Sequence, residues 1–382
     1  MGILTKHKIY FFRPPALLLV SLCFVLAAFA VSSFAQTKPD WKEKWGKTLA
    51  DAKKEGKVVV FGPPGEFIRL AFVEGFKKAY PGIELEFSAA RSGEQAVKLK
   101  AERDAGVYSV DVFVGGPTTG NFQLKPMGAL DPIRPVLVLP EVTEVKYWRD
   151  NRLEFSDKEA LYDLVFGIEL SPPLIYDPKQ VKRDEIDELY DLLNPKWKGK
   201  IVINDPSVSG ASVPLLRLIW ITLGPEKATD YYRKLRAQAG AVDRDLRRQV
   251  EWIALGKYPI LVGPSPRTAG QLMKRGLKFE FLGEFKDAGG MTGSSSATVM
   301  RLNKAPHPNA ASVFINWLLT AEGQRLWSKA TDQMSLRLDV PKDHVPSYLV
   351  PGSGEKYWKS YTEEAQTRTA EEEKILKELF ER

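Results

Sequence analysis

Apolar positions in the first part of the chain follow two spacings. Trp41, Trp45, Leu49 and Ala52 recur at intervals of four, four and three, which predicts an amphipathic helix over 41–55, stopped by Gly56. Lys57-Val58-Val59-Val60-Phe61 is a short apolar run ending in Gly62-Pro63-Pro64-Gly65, a buried strand followed by a turn. Phe67, Leu70, Ala71, Phe76 and Ala79 place a helix over 67–80, broken by Pro81-Gly82. Ile83, Leu85 and Phe87 alternate with acidic residues and predict a strand over 83–87. A helix over 94–105 and a strand over 110–114 complete a β-α-β-α-β order. That order implies a parallel sheet with helices on its faces.

The later chain continues in this style. Strands are expected at 174–176, 201–203, 258–262, 279–282 and 295–300. Helices are expected at 186–193, 213–223, 227–237, 246–255, 269–275, 309–319 and 322–330. Phe314, Trp317 and Trp327 sit at core spacing. Tyr231-Tyr232 lies within a helical pattern and reads as packing. Residues 354–382 are rich in Glu and Lys, with Ile375, Leu376, Leu379 and Phe380 near the end, and read as a solvated helix that docks by its last turns.

Composition bounds the class. Of 382 residues, 44% are hydrophobic and 27% charged, an ordinary globular mix long enough for two domains. Lys6, Lys8 and Arg13 precede an apolar run from 16 to 31, and Ser33-Phe34-Ala35 then supplies small residues around a cut after Ala35. This is the pattern of a secretory signal peptide over 1–35. Retention as an anchor is the alternative, but the run is short for a span of about 20 residues. Cys23 lies inside the run behind Leu22, which is not small, so lipidation does not fit.

Removing that segment changes the charge. The whole chain carries +7. The three basic residues leave with the signal, so the remainder carries +4, too mild to argue for nucleic acid. The single Cys leaves too, which excludes disulfides, a Cys nucleophile and Cys-based metal sites. His307 and His344, far apart in sequence, offer no His-rich metal site. Neither a cofactor nor a metal is expected.

Candidate chemistry lies in the loops beyond the strands, where parallel sheets bind ligands. Six are small and polar: 62–65, 89–93, 115–120, 204–210, 263–267 and 293–296. Backbone amides, hydroxyls and helix starts there suit an anion or a polar small molecule. Arg91 and Arg267 add guanidinium groups that match carboxylate or phosphate bidentately. The expected ligand-binding residues are Arg91, Ser92, Thr118, Thr119, Ser207, Ser209, Ser265, Arg267, Ser294 and Ser295. Ser92 also fits a helix N-cap. Enzyme signatures are thin. Gly263-Pro264-Ser265-Pro266-Arg267 is not a nucleophile elbow, because Arg replaces the final Gly. Glu66, Asp111 and Asp205 read as surface charge, capping or turn bonding.

Three stretches carry a resemblance. Leu189-Tyr190-Asp191-Leu192-Leu193-Asn194-Pro195-Lys196-Trp197-Lys198-Gly199-Lys200-Ile201, continued by Asn204-Asp205-Pro206, is one. Asn303-Lys304-Ala305-Pro306-His307-Pro308-Asn309 with Phe314-Ile315-Asn316-Trp317-Leu318-Leu319 and Glu322-Gly323-Gln324 is the second, and Gly167-Ile168-Glu169 through Leu174-Ile175-Tyr176-Asp177 is the third. Together they resemble the extracellular solute-binding proteins of ABC importers, in the branch of ferric-iron, thiamine and aminoalkylphosphonate binders.

The resemblance implies a type II periplasmic-binding fold: two α/β lobes joined by a hinge, with ligand between them. The first lobe would hold residues 36–168 and 298–335, the second 169–297, with 336–382 a helical segment packing on the second. It implies a periplasmic monomer that captures a small polar or anionic solute or a metal chelate and delivers it to an inner-membrane permease, without nucleic acid; Arg91 and Arg267 would suit a solute bearing carboxylate or phosphonate. His307 would belong to the Pro-His-Pro turn opening a helix. Ferric-binding relatives place an adjacent tyrosine pair soon after the Asp-Pro turn. Here Ser209-Gly210-Ala211-Ser212-Val213-Pro214 holds none, which argues against a naked ferric ion.

Other readings differ in what they need. An iron binder would use atypical ligands. A two-lobed transferase would want a cleft Cys. A sensor or scaffold would recruit a partner through its charged tail, and that tail could be deleted without loss of ligand affinity.

Overall fold

The computed structural model describes residues 40–208, 211–352, 357–368 and 370–381. The expected signal segment and Ser209 lie outside the described residues. The first helix, Trp41–Glu55, starts where the Asp40 carboxylate accepts from the Lys42 amide (3.2 Å) and stops at Gly56, whose φ of 77° suits glycine.

A seven-stranded sheet organises the first lobe. Lys57–Gly62 lies between Glu84–Ala89 and Val112–Gly115, parallel to both, as the β-α-β-α-β pattern implied. The far side is antiparallel: Thr298–Leu302 returns from late in the chain to pair with Val112–Gly115, Asp163–Val165 and Leu130–Asp131, and Glu154–Phe155 closes the edge. Both faces are covered. On one, Phe72, Phe76, Phe314, Trp317 and Trp327 pack with ring centroids 5.3–6.3 Å apart. On the other, Leu99, Phe113, Leu124 and Met300 cluster.

A five-stranded sheet organises the second lobe, in the order Ala239–Asp243, Ile201–Asn204, Ile260–Val262, Leu174–Tyr176 and Glu280–Leu282. It too is parallel on one side and antiparallel on the other. Trp197, Tyr231 and Tyr232 lie in the cluster on one face, Val250, Ile253 and Leu272 on the other. The tyrosine pair is core. Tyr231 donates to Leu189 O and Tyr232 to Leu216 O, and burial pushes both hydroxyls far up. Both hydroxyls are spent on backbone carbonyls within the core and do not face the other lobe's loops.

Between the lobes runs a third sheet: Glu284–Phe285, Gly289–Gly293, Gly167–Leu170 and Met334–Ser335, with Tyr357–Lys359 added parallel to Gly289–Gly293. Its strands are two to five residues long, two of them begin with glycine, and they show no clear period, so they escape a pattern reading. Three-residue and five-residue turns at Arg183–Glu185 and Leu189–Leu193 replace the helix expected over 186–193.

The tail also differs from expectation. Its last helix, Ala370–Phe380, docks by Leu376 and Phe380 in the second lobe's core. However, Tyr361 is buried in the first lobe's core, and Lys359 pairs with Glu154 of that lobe (2.8 Å). The segment therefore packs on both lobes, because its apolar anchors are split between its two ends. Among the described residues, no helix is long and apolar enough to cross a membrane.

His307 has a bracing role. Its backbone amide and Nδ1 both reach Asp111 (2.8 and 2.9 Å), which is fully buried and also accepts from Val59 N (2.7 Å). Asp111 thus ties a strand, a loop and the start of helix Pro308–Leu319.

Candidate ligand cleft

The loops beyond the parallel strands converge on one cavity of about 890 Å³. From the first lobe come Pro63, Pro64, Gly65, Phe67, Ile68, Arg91 and Ser92; from the second come Ala211, Pro214, Leu215, Leu246 and the run from Gly263 to Arg267. Glu169, Ser171, Met291, Ser295, Ser296 and Gln333, in and around the linking strands, line it too. Several helices point their N-termini at this space. Helices Glu66–Ala79 and Ser92–Asp104 carry no side-chain cap, so their first amides remain open to an acceptor. Helix Pro266–Lys274 is capped by Ser265 Oγ, which accepts from Thr268 N (3.4 Å). Gly263 has φ 72°, and a Cβ there would come within 2.4 Å of Ser212, so only glycine lets the two loops approach this closely.

The expected residues divide. Arg91, Ser92, Ser265, Arg267 and Ser295 line the cavity. Arg91 and Arg267 are exposed, one from each lobe, and neither forms an ion pair with another described residue. Thr118, Thr119, Ser207 and Ser294 do not line it. Thr118 is exposed and Thr119 is buried in a short helical turn, Pro117–Thr119, that turns away into the first lobe. Ser207 Oγ donates instead to Asp205 (2.6 Å), satisfying its own turn. Ser294 is buried behind the wall. Ser209 is outside the described residues. Ser92 is not the N-cap; Arg91 is, and Ser92 Oγ accepts from Gly116 N (3.3 Å).

Other lining groups carry charge or fix the floor. Glu169 is nearly buried. One carboxylate oxygen accepts from Ser295 N (3.1 Å) and Ser295 Oγ, and the other from Gln333 Nε2; Gln333 Oε1 in turn accepts from Trp327 Nε1 (3.0 Å). This relay ties the linking strands to the first lobe's core. A charged residue within the fully buried strand Gly167–Leu170 is the signal that would have marked Glu169. At one margin, Lys274 meets Asp332 (3.2 Å), joining a second-lobe helix to the end of helix Ala321–Thr331. Nothing in the sequence pattern brings those two together. Tyr348 stacks on Phe281 (4.2 Å, 11°) beside them. Among the described residues, no three His, Cys, Asp or Glu are grouped to hold a metal ion.

The profile described as bacterial extracellular solute-binding protein matches residues 71–348. The chain belongs to this family. The solute-binding protein is 22% identical over 301 residues to an uncharacterized protein of Haemophilus influenzae, covering 78% of this chain and 83% of that one. Its fold is shared by solved structures that include two with bound ligands. The periplasmic binding protein AfuA from Actinobacillus pleuropneumoniae, with fructose-6-phosphate bound, matches with TM-score 0.58 at 17% identity, over 85% of this chain and 97% of its own. IdiA (FutA) of Trichodesmium, in complex with iron and citrate, matches with TM-score 0.63 at 18% identity, over 85% and 97%. The two-lobed type II periplasmic fold and a solute-binding role follow, in agreement with the resemblance read from the sequence. In the tyrosine-free stretch that runs into helix Val213–Leu223, the solute-binding protein places Ala211 and Pro214, the latter in the helix's first turn, at the cavity wall.

Proposed function

We propose that this protein captures a small organic anion, bearing carboxylate, phosphate or phosphonate, or a metal chelate of one, between its lobes. It does so in the periplasm and releases the solute to an inner-membrane ABC permease; its role is binding rather than catalysis. The observation that carries this reading is the pair Arg91 and Arg267. They are guanidinium groups from opposite lobes on one cavity, without an ion-pair partner among the described residues, beside helix starts with open amides. A ligand bonded to both would favour the closed form, which is what ligand-driven hinge closure requires. The cavity size falls within the roughly 300–1,000 Å³ of small-molecule sites. The ligands named for two structural neighbours, a sugar phosphate and iron with citrate, include anions of this kind. The N-terminal signal pattern and the family's extracellular description support the location.

The test is native mass spectrometry of gently purified mature protein against its denatured mass, followed by calorimetry with phosphate, citrate and fructose 6-phosphate. An excess of a few hundred daltons or a calorimetric isotherm is expected. Charge-assisted hydrogen bonds contribute about 1.5–3 kcal/mol each. Arg91→Ala and Arg267→Ala should therefore each weaken binding about tenfold or more, and the double variant further. A bound mass of one bare iron, or a double variant that binds as tightly as the parent, defeats the reading.

A further inference from the structure

The family match ends at residue 348, yet the described chain continues to residue 381 and engages both lobes in turn. Tyr357–Lys359 adds a strand to Gly289–Gly293 of the linking sheet, and Ser360 N donates to Thr292 O (3.0 Å). The chain then enters the first lobe. Tyr361 is buried in that lobe's core, and its hydroxyl lies 3.3 Å from Glu154. Glu363 accepts from Lys125 Nζ (2.6 Å) and Lys158 N (3.0 Å), while its own amide donates to Ser156 O (2.7 Å). Only four residues later the contacts change lobe. Thr367 O accepts from Arg217 Nη2 (2.9 Å), and Leu376 and Phe380 fill the second lobe's core.

We propose that this tail is a strap that limits how far the two lobes swing about the hinge. The argument is one of reach. Between Glu363, held by the first lobe, and Thr367, held by the second, lies a single helical turn, Glu363–Gln366. Four helical residues span about 6 Å, and even fully extended they reach only about 14 Å. The turn therefore has no slack. Wide opening must melt it or break one of its attachments: the half-buried Glu363 carboxylate on the first lobe, or the Thr367 carbonyl bonded to Arg217 on the second. The Lys125–Glu363 contact is itself partly buried, with side chains 19% and 17% exposed, so solvent screens it less than a surface pair. A strap that bars wide opening while permitting closure raises the resting population of the forms nearest to closed, and apparent affinity follows the binding-competent population.

The test needs no ligand, so it stands or falls separately from the anion reading. The mature chain lacks cysteine. Val97→Cys in the first lobe and Leu255→Cys in the second, both strongly exposed, therefore accept spin labels for an inter-lobe distance distribution. The strapped protein should give one narrow distribution. Inserting eight Gly/Ser residues after Gln366 keeps every anchor and adds about 16 Å of flexible reach. It should broaden the distribution or move it by more than about 2 Å, the scale of domain rearrangements. Lys359→Ala with Glu363→Ala, which loosens the first-lobe attachment without touching either core, should act in the same direction and serves if the insertion does not fold. A broad distribution in the strapped protein, or an unchanged one in the folded variants, overturns the proposal.

Discussion

Arg217→Ala is expected to lower the free energy of unfolding by about 3–5 kcal/mol near pH 8, the range seen when one partner of a buried ion pair is removed. Arg217 Nη1 lies 2.5 Å from Glu372 Oε2, across the contact between helix Val213–Leu223 and the final helix. Glu372 is fully buried. Burial pushes its carboxyl up, and the Arg217 guanidinium is the leading influence holding it down. Without that guanidinium the carboxylate keeps only weaker support, such as the charge of Arg368, against the cost of its burial. The loss should shrink as pH falls, because a protonated Glu372 needs no cation. Replacing both partners with apolar groups, Arg217→Met with Glu372→Leu, should recover most of the loss. Urea unfolding of the parent, the two single variants and the double variant checks this. A double variant as unstable as Arg217→Ala would refute the account.

Asp163→Asn should stabilise the protein at alkaline pH and leave it unchanged near pH 4. Asp163 has no exposed surface; Ser156 Oγ donates to one of its oxygens, and the other lacks a hydrogen-bond partner among the described residues. Burial pushes its pKa up to about 7, with nearby Asp157 adding to the rise. A carboxyl raised on folding favours the folded state only while it is protonated. Its contribution is complete below the unfolded value near 4, falls as pH climbs through that window, and is gone above about 7. About three pKa units at 1.36 kcal/mol each set a scale of about 4 kcal/mol. The asparagine carries no such proton. The stability difference between variant and parent, read from urea midpoints at unchanged slope, should therefore grow from pH 4 to pH 8. A difference that stays flat across that range would sink the argument.

How much of this protein was legible before folding follows from where the information sits. Strands such as Lys57–Gly62 and helices such as Val213–Leu223 write their burial into local spacing, so their place in the two lobes could be read directly. Arg91 and Arg267 were visible because a polar loop after a strand has a fixed destination in an open parallel sheet. The linking strands Gly167–Leu170 and Gly289–Gly293 were not. Their extended form depends on partners far away in sequence, and no period marks them.

The sequence alone determined the α/β class and the core tryptophans, which rest on local pattern; the family and its two lobes were legible through the resemblance of three sequence stretches, and Arg91 and Arg267 as loop residues that line the cavity. Tertiary structure alone decided that Glu169, Gln333 and Ser295 form one relay, that Lys274 reaches Asp332, that Thr119 and Ser294 turn away from the cavity, and that the tail splits its anchors between two cores. These are meetings between segments distant in sequence, fixed by how the lobes pack rather than by any spacing along the chain.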